Sequence, residues 1–357
     1  MVMIRLLLWR TKRRLTTKIR KMPSQRIVQF INLTCITFLS TIAWSVVFNA
    51  MDRPISPVEQ RKLFAFNLQY AVYNAEDDID ILTLPQISER RDIRGLPGCV
   101  QKKPEFLMIG VPKCGTGSVR TFLNEHPDIA MEMNSEGVQY FNARYQRGWL
   151  WYVSQMACSE PGQITGENSA QYFVSMSAPE RVFNYNPNMK LILTVRDPVK
   201  RLESEFMQMV VGRPQYLTGD TVESNVIHTL TGEVLAYKSL VSKSLYVVYL
   251  KNWLRYFNIS QIHIVDGDEF TVDPIKQLQE IEAFLGIGSY FTKDLFAFVE
   301  SRGFYCLQRY ENVECLETGK GRTHPYISPS TIQKLKQYYK PYNEELFHLT
   351  GKRLNWG

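Results

Sequence analysis

Between residues 109 and 123 the chain reads "IGVPKCGTGSVRTFL". Lys113 and two glycines, Gly115 and Gly117, stand where an apolar run gives way to a helical pattern, in company with Cys114, Thr116 and Ser118. Glycines let backbone approach a ligand, free N–H groups at a helix start attract anions, and hydroxyls and an ammonium add donors. The stretch has the makings of a phosphate cradle. It is not the nucleoside-triphosphate form, in which the lysine follows the second glycine of GxxxxGK[ST]. Two further pieces point to the same chemistry. Arg196 ends a second apolar run and Ser204 follows two helical turns later, so both can serve one phosphate. Near the C-terminus "GKGRTHP" packs Lys320, Gly321, Arg322, Thr323 and His324 into one loop. Three such anion sites predict a nucleotide with several phosphates.

The elements that must position these residues follow from hydrophobic spacing. "EFLMIGV" (105–111), "MKLILTV" (189–195) and "QIHIVDG" (261–267) are short apolar runs suited to buried parallel strands. Each precedes a helical pattern. "TGSVRTFLNEHP" (116–127) sets Val119, Phe122 and Leu123 on one side with Pro127 to stop it, "RDPVKRLESEF" resumes after the second run, and "DPIKQLQEIEAFLG" spaces Ile275, Leu278, Ile281 and Leu285 as a helix does. Strand–helix alternation predicts an α/β fold, a single domain with a central parallel sheet flanked by helices. Ligands of such sheets sit at the carboxyl ends of strands, where the cradle lies.

A chain of 357 residues, 45% hydrophobic, has the means to bury a core, which excludes disorder as its main state. Its net charge of +7 is local, because residues 1–26 hold nine Lys or Arg and no acid. The remainder is close to neutral, which gives no reason to expect a nucleic-acid partner. Residues 27–51 carry no charge over 25 positions, enough for a membrane-spanning signal-anchor, with a cleaved signal peptide and a buried helix as the competing readings. Positive charge before it keeps the short tail cytoplasmic and places everything after Met51 in the secretory lumen. Residues 52–103 read as a luminal stem of mixed charge, and 104–357 as the globular domain.

Of six cysteines, Cys306 and Cys315 are close neighbours, and a short disulfide loop suits an oxidising lumen. Two free buried thiols are the other reading. No cysteine pair has zinc-site spacing and the five histidines are scattered, so no metal is expected. Asn258-Ile-Ser260 is a glycosylation sequon.

Taken together, "FLMIGVPKCGT", "RGWLWYVSQM", "APERVFNYNPNMKLILTVRDPVKRLESEF", "NWLRYFNISQIHIVDGD", "GFYCLQRYENVECL" and "KGRTHP" resemble the heparan sulfate glucosaminyl 3-O-sulfotransferases. These Golgi enzymes use 3′-phosphoadenosine 5′-phosphosulfate (PAPS), and the resemblance runs from about Pro104 to the C-terminus. It implies that 113–118 holds the 5′-phosphosulfate, that Arg196 and Ser204 hold the 3′-phosphate, and that 320–324 closes over the nucleotide beside Tyr305. It further implies a Cys306–Cys315 disulfide, a Golgi membrane anchor, and a glycosaminoglycan acceptor met by Gln139, Asn168 and Gln208. In the implied reaction a sugar hydroxyl attacks sulfur in line, a carboxylate takes its proton, and Lys113 stabilises charge on the departing phosphate.

The chain departs from the family pattern at the base. The family's catalytic glutamate position is Gly137, and Glu136 lies one residue early. Asn168 stands where the family has a second catalytic lysine, and Pro112 where the 3-O enzymes carry a basic residue. Gln139 and Asn142 match variants of the related N-sulfotransferases. Two readings follow: a working sulfotransferase with Glu136 as base, or a catalytically impaired relative that binds nucleotide or glycan without transfer.

Overall fold

The computed structural model describes residues 100–132, 137–309, 312–315 and 325–356. The expected span and stem, Glu136 and the loop 320–324 lie outside the described residues. In chain order the strands are β1 (Val100–Gln101), β2 (Phe106–Gly110), β3 (Ile129–Met131), β4 (Cys158–Ser159), β5 (Ile164–Asn168), β6 (Lys190–Val195), β7 (Ile262–Asp266), β8 (Phe296–Val299), β9 (Phe304–Arg309) and β10 (Asn312–Glu314). The α-helices are α1 (Thr116–Leu123), α2 (Trp149–Val153), α3 (Ala178–Tyr185), α4 (Pro198–Gly212), α5 (Val222–Val226), α6 (Ser239–Ser242), α7 (Tyr246–Trp253), α8 (Gly267–Val272), α9 (Pro274–Leu285) and α10 (Pro329–Thr350). None of them is long and apolar enough to cross a membrane.

Five strands form one parallel sheet in the order β3-β5-β2-β6-β7. β2 is buried at every residue and β6 at all but its first, which is why both read as unbroken apolar runs rather than alternating ones. Successive side chains still point to opposite faces. Leu107, Ile109, Leu191 and Leu193 meet Tyr246, Tyr249 and Trp253 in one core, while Phe106, Met108 and Ile192 meet Phe122, Phe270, Leu278 and Ile281 in another. Both faces are therefore covered, as the alternating pattern predicts.

Helix ends follow local chemistry. α9 begins at Asp273, whose carboxylate accepts the Ile275 N–H, and stops at Gly286 in the left-handed region (φ 75°). α1 stops at Leu123, four residues before Pro127, with Asn124 closing it. Two strands of the sheet, β3 and β5, show no apolar run of strand length in the sequence. β3 is three residues long, and β5 is "ITGEN", a polar strand buried beside β2.

A separate three-stranded antiparallel sheet has the order β10-β9-β8, and Cys306 on β9 is joined to Cys315, just after β10, by a disulfide. Cys158 is also disulfide-bonded, whereas Cys114 is free and buried. The tyrosines of α10 face inward. Tyr339 is buried, and Tyr338 and Tyr342 pack partly buried against the same core.

Candidate active site

The cradle lies at the carboxyl end of β2. Lys113 and Gly115 both adopt left-handed backbone (φ 73° and 92°), which turns the chain sharply into α1. The first N–H groups of any helix lack intrahelical partners, so α1 presents Thr116 and Gly117 to this turn. Arg196, at the end of β6, closes the opposite side. Its Nη1 donates to the Lys113 carbonyl at 3.4 Å and its Nη2 to Asp268 Oδ1 at 3.2 Å. Asp268 in turn accepts the Asp197 N–H at 2.8 Å and Lys200 Nζ at 3.2 Å. Burial alone would raise the Asp268 pKa, but the Asp197 N–H, Arg196 and Lys200 hold it below the usual carboxylate range. Arg196 Nε is buried without a hydrogen-bond partner among the described residues. An unpaired guanidinium N–H beside a turn of this shape fits an anion such as a phosphate.

α4 is fixed beneath this side by charge. Arg201 is fully buried; its Nη1 donates to Glu205, its Nε to Ser244 Oγ and its Nη2 to the Leu240 carbonyl. Lys243 Nζ donates to Glu205 at 3.0 Å. Desolvation would push the Glu205 carboxyl up, but Lys243 and Arg201 bring it down to about 2. Ser204 lies between these residues on α4, half-buried, and Gln208 follows one turn later on the same face, exposed.

The opposite side is built differently. Residues 137–142 form a loop over the end of β5. Gly137 has φ 81°, and a Cβ there would stand 2.3 Å from the Asn168 carbonyl and 2.8 Å from Ser169 Oγ. The position matching the family's catalytic glutamate therefore has no room for a side chain. Gln139 is buried with left-handed backbone (φ 57°), and its Oε1 accepts Asn142 Nδ2 at 2.9 Å. Asn168, 4% exposed, donates its N–H to Glu132 at 3.0 Å, and its Oδ1 is buried without a partner. The Asn142 Oδ1 is likewise unpartnered among the described residues. These are buried acceptors for which no described residue supplies a donor.

Two fully buried carboxyls lie behind this loop. Glu132 follows β3 and pairs with Arg120 Nε at 2.9 Å; burial outweighs that ion pair and pushes its pKa up to about 8. Glu167, on β5, is raised by burial and pulled back by the hydroxyls of Ser169, Tyr152 and Tyr172. Outside the loop, three arginines gather. Arg144 donates to the Val138 carbonyl, Arg181 to those of Phe141 and Asn142, and Arg147 lies over the Trp151 ring. Burial and the nearby Arg147 charge lower the Arg144 pKa, as expected for crowded cations.

The structure thus joins the cradle to Arg196, and Gly137 to Asn168. Tyr305 sits on β9, edge-on to Phe298, and Asn258 is exposed ahead of β7. Asp268, Glu132 and Glu167 were not singled out from sequence. Glu167 falls within "GENSAQYF", where an acid, an amide and a hydroxyl in a row signal a strand whose polar groups serve a site.

Comparison with known proteins assigns the chain. Residues 103–351 match the family described as "Sulfotransferase domain". Heparan sulfate glucosamine 3-O-sulfotransferase 5 of Mus musculus is 37% identical over 262 residues, covering 72% of this chain and 75% of the relative; the Homo sapiens form gives the same values. Human heparan sulfate glucosamine 3-O-sulfotransferase 3B1 is 33% identical, covering 71% and 65% respectively. Among solved structures, a sulfotransferase from Alicyclobacillus acidocaldarius shares the fold with a TM-score of 0.53 at 20% identity, over 71% of this chain and 98% of that one. A cradle after the first parallel strand, an arginine facing it and these matches lead to one assignment: the chain belongs to the sulfotransferase family, among relatives of the heparan sulfate glucosamine 3-O-sulfotransferases.

Proposed function

We propose that the chain transfers a sulfuryl group from PAPS to a hydroxyl of glucosamine in heparan sulfate. The observation that carries this reading is the donor side, where Arg196, held by Asp268, has a buried Nε with no partner among the described residues beside the left-handed turn at Lys113. PAPS supplies the transferable sulfuryl group and a phosphate leaving group. Lys113, Cys114, Gly115, Thr116, Gly117 and Ser118 would bind its 5′ end and Arg196 and Ser204 its 3′-phosphate, while residues 320–324, outside the described residues, are the further nucleotide contacts that the family resemblance implies. Lys113 stabilises charge on the leaving phosphate oxygen. Glu136, outside the described residues, is the candidate to take the proton of the attacking hydroxyl, and position 137 beside it has no room for a side chain. Arg144, Arg147 and Arg181 flank the acceptor loop with positive charge, which suits a sulfated polysaccharide.

The same reading places the domain in the Golgi lumen behind a single span at 27–51. The nine-charge tail and the disulfides of the described residues support it. Digestion of the domain by protease in sealed vesicles would contradict that placement.

The decisive experiment incubates the purified full-length protein with labelled PAPS and a heparan sulfate panel. Label on a glucosamine hydroxyl is expected. Binding of adenosine 3′,5′-bisphosphate with no label transferred would favour the impaired-relative reading. No binding at millimolar nucleotide would sink the cofactor assignment.

A further inference from the structure

We propose that Glu167 is a positioning residue for the acceptor side, its buried carboxylate holding the backbone of residues 138–141 and thereby setting Gln139 and Asn142. This rests on the reading that the loop 137–142 faces the acceptor. Four donors converge on the carboxylate. Tyr152 OH and Tyr172 OH donate to Oε2 at 2.8 and 3.1 Å, Ser169 Oγ donates to Oε1, and the Val138 N–H bonds to the same group. Two of these hydroxyls, having given their protons to Glu167, keep lone pairs for the loop. Ser169 Oγ accepts the Gln139 N–H at 2.8 Å, and Tyr172 OH accepts the N–H groups of Tyr140 and Phe141 at 2.7 and 3.3 Å. Four consecutive backbone N–H groups are thus held by one anion, directly or through a single hydroxyl.

The outer face of the loop is held in the opposite sense. Its carbonyls at Val138, Phe141 and Asn142 accept from Arg144 and Arg181. With N–H groups turned inward and carbonyls outward, the loop has one shape, and the left-handed φ of Gln139 is held within it. Gln139 and Asn142, joined by their own hydrogen bond, then have a fixed place relative to Asn168. The donor side shares none of these groups, because its contacts run through Arg196 and Asp268.

Glutamine at 167 would keep the volume but offer one acceptor oxygen where two are used, and its amide would face donors. Ser169→Ala and Tyr172→Phe are milder, each removing one relay. The test combines amide hydrogen exchange with steady-state kinetics on the full-length protein. In Tyr172→Phe the amides of 140 and 141 should exchange at least tenfold faster, and in Ser169→Ala that of 139, with the cradle 113–118 unchanged. Acceptor KM should rise or kcat fall at least fivefold in each, while affinity for adenosine 3′,5′-bisphosphate stays within twofold. Ser169→Thr, which keeps the hydroxyl, should restore both readouts. Unchanged exchange in both variants, or nucleotide affinity lost in step with transfer, overturns the proposal. A wild-type protein that transfers nothing overturns the proposed function instead, and the exchange arm still decides whether Glu167 holds the loop.

Discussion

The two sides of the site are held by opposite devices. On the donor side, full charges meet near the surface: Arg196 with Asp268, Lys200 with Asp268, and beneath them Arg201 and Lys243 on Glu205. On the acceptor side, buried carboxyls with raised pKa values hold hydroxyls and backbone N–H groups, and among the described residues the amide oxygens of Asn142 and Asn168 are left unpaired. A donor with several phosphates needs fixed positive charge that is ready before it binds. A sugar needs hydrogen-bond acceptors at set places, and those are best held by a rigid surround of buried hydroxyls and backbone groups. The difference also separates the residues by how they fail: charge loss should remove binding on one side, and shape loss should remove orientation on the other.

The largest effect should come from breaking the charge network under the donor side. Arg201→Met leaves Glu205 and Lys243 buried with altered balance, and removing one partner of a buried pair typically costs about 3–5 kcal/mol. Denaturant unfolding should show a loss of that order. A loss below about 1 kcal/mol would mean that the network adds nothing to α4. Next, Lys113→Ala should lower transfer about 10²–10³-fold, the usual effect of deleting one preorganised donor to a developing charge. It should also reduce the rise in Tm given by adenosine 3′,5′-bisphosphate, as should Arg196→Ala. If Lys113→Ala abolishes transfer but leaves that rise intact, its role is confined to the leaving group.

The donor side was legible in sequence because its parts are local. A cradle, an arginine at a strand end and a helix after each are contiguous patterns, and the strands β2, β6 and β7 are largely apolar. The acceptor side was not, because its organising residues are far apart in the chain and polar. Glu132 is held by Arg120, and Glu167 acts on residues 138–141 across about 30 positions, as the Gln139–Ser169 separation shows. β5 conceals itself further by placing Thr165, Glu167 and Asn168 in the core. A buried polar strand has no hydrophobic signature, and its purpose appears only when the loop it holds is seen above it.

A smaller effect tests the acceptor loop by shape. Gly137→Ala forces a side chain into left-handed backbone and against the Asn168 carbonyl at 2.3 Å, so a cost of about 1–3 kcal/mol is expected. Transfer should fall with nucleotide binding retained. Gly137→Glu should behave no better, even combined with Asn168→Lys, since the added carboxylate meets the same wall. Restored or increased transfer in that double variant would show that the loop moves more freely than its contacts allow.

The last test concerns protons on the acceptor side. Glu132 is fully buried, and burial outweighs Arg120 in setting its pKa, which moves from an ordinary 4.5 to about 8. Below about pH 4.5 both the folded and unfolded chains hold this proton, so its contribution to stability is fully present. Between about 4.5 and 8 the unfolded chain releases the proton and the folded chain keeps it, so that contribution shrinks as pH rises. The loss is at most about 1.4 kcal/mol per pH unit, and it levels off above the folded value. Glu132→Gln keeps the size and removes the titration. Relative to wild type, the variant should therefore gain in Tm from pH 5 to pH 8. Glu205, held down to about 2, has no such slope in that range, so Glu205 variants should show a constant difference there. A constant difference for Glu132→Gln would mean that the folded chain carries an ionised Glu132–Arg120 pair. The acceptor side would then rest on a buried ion pair as the donor side does, and the contrast between them would fail at its buried end.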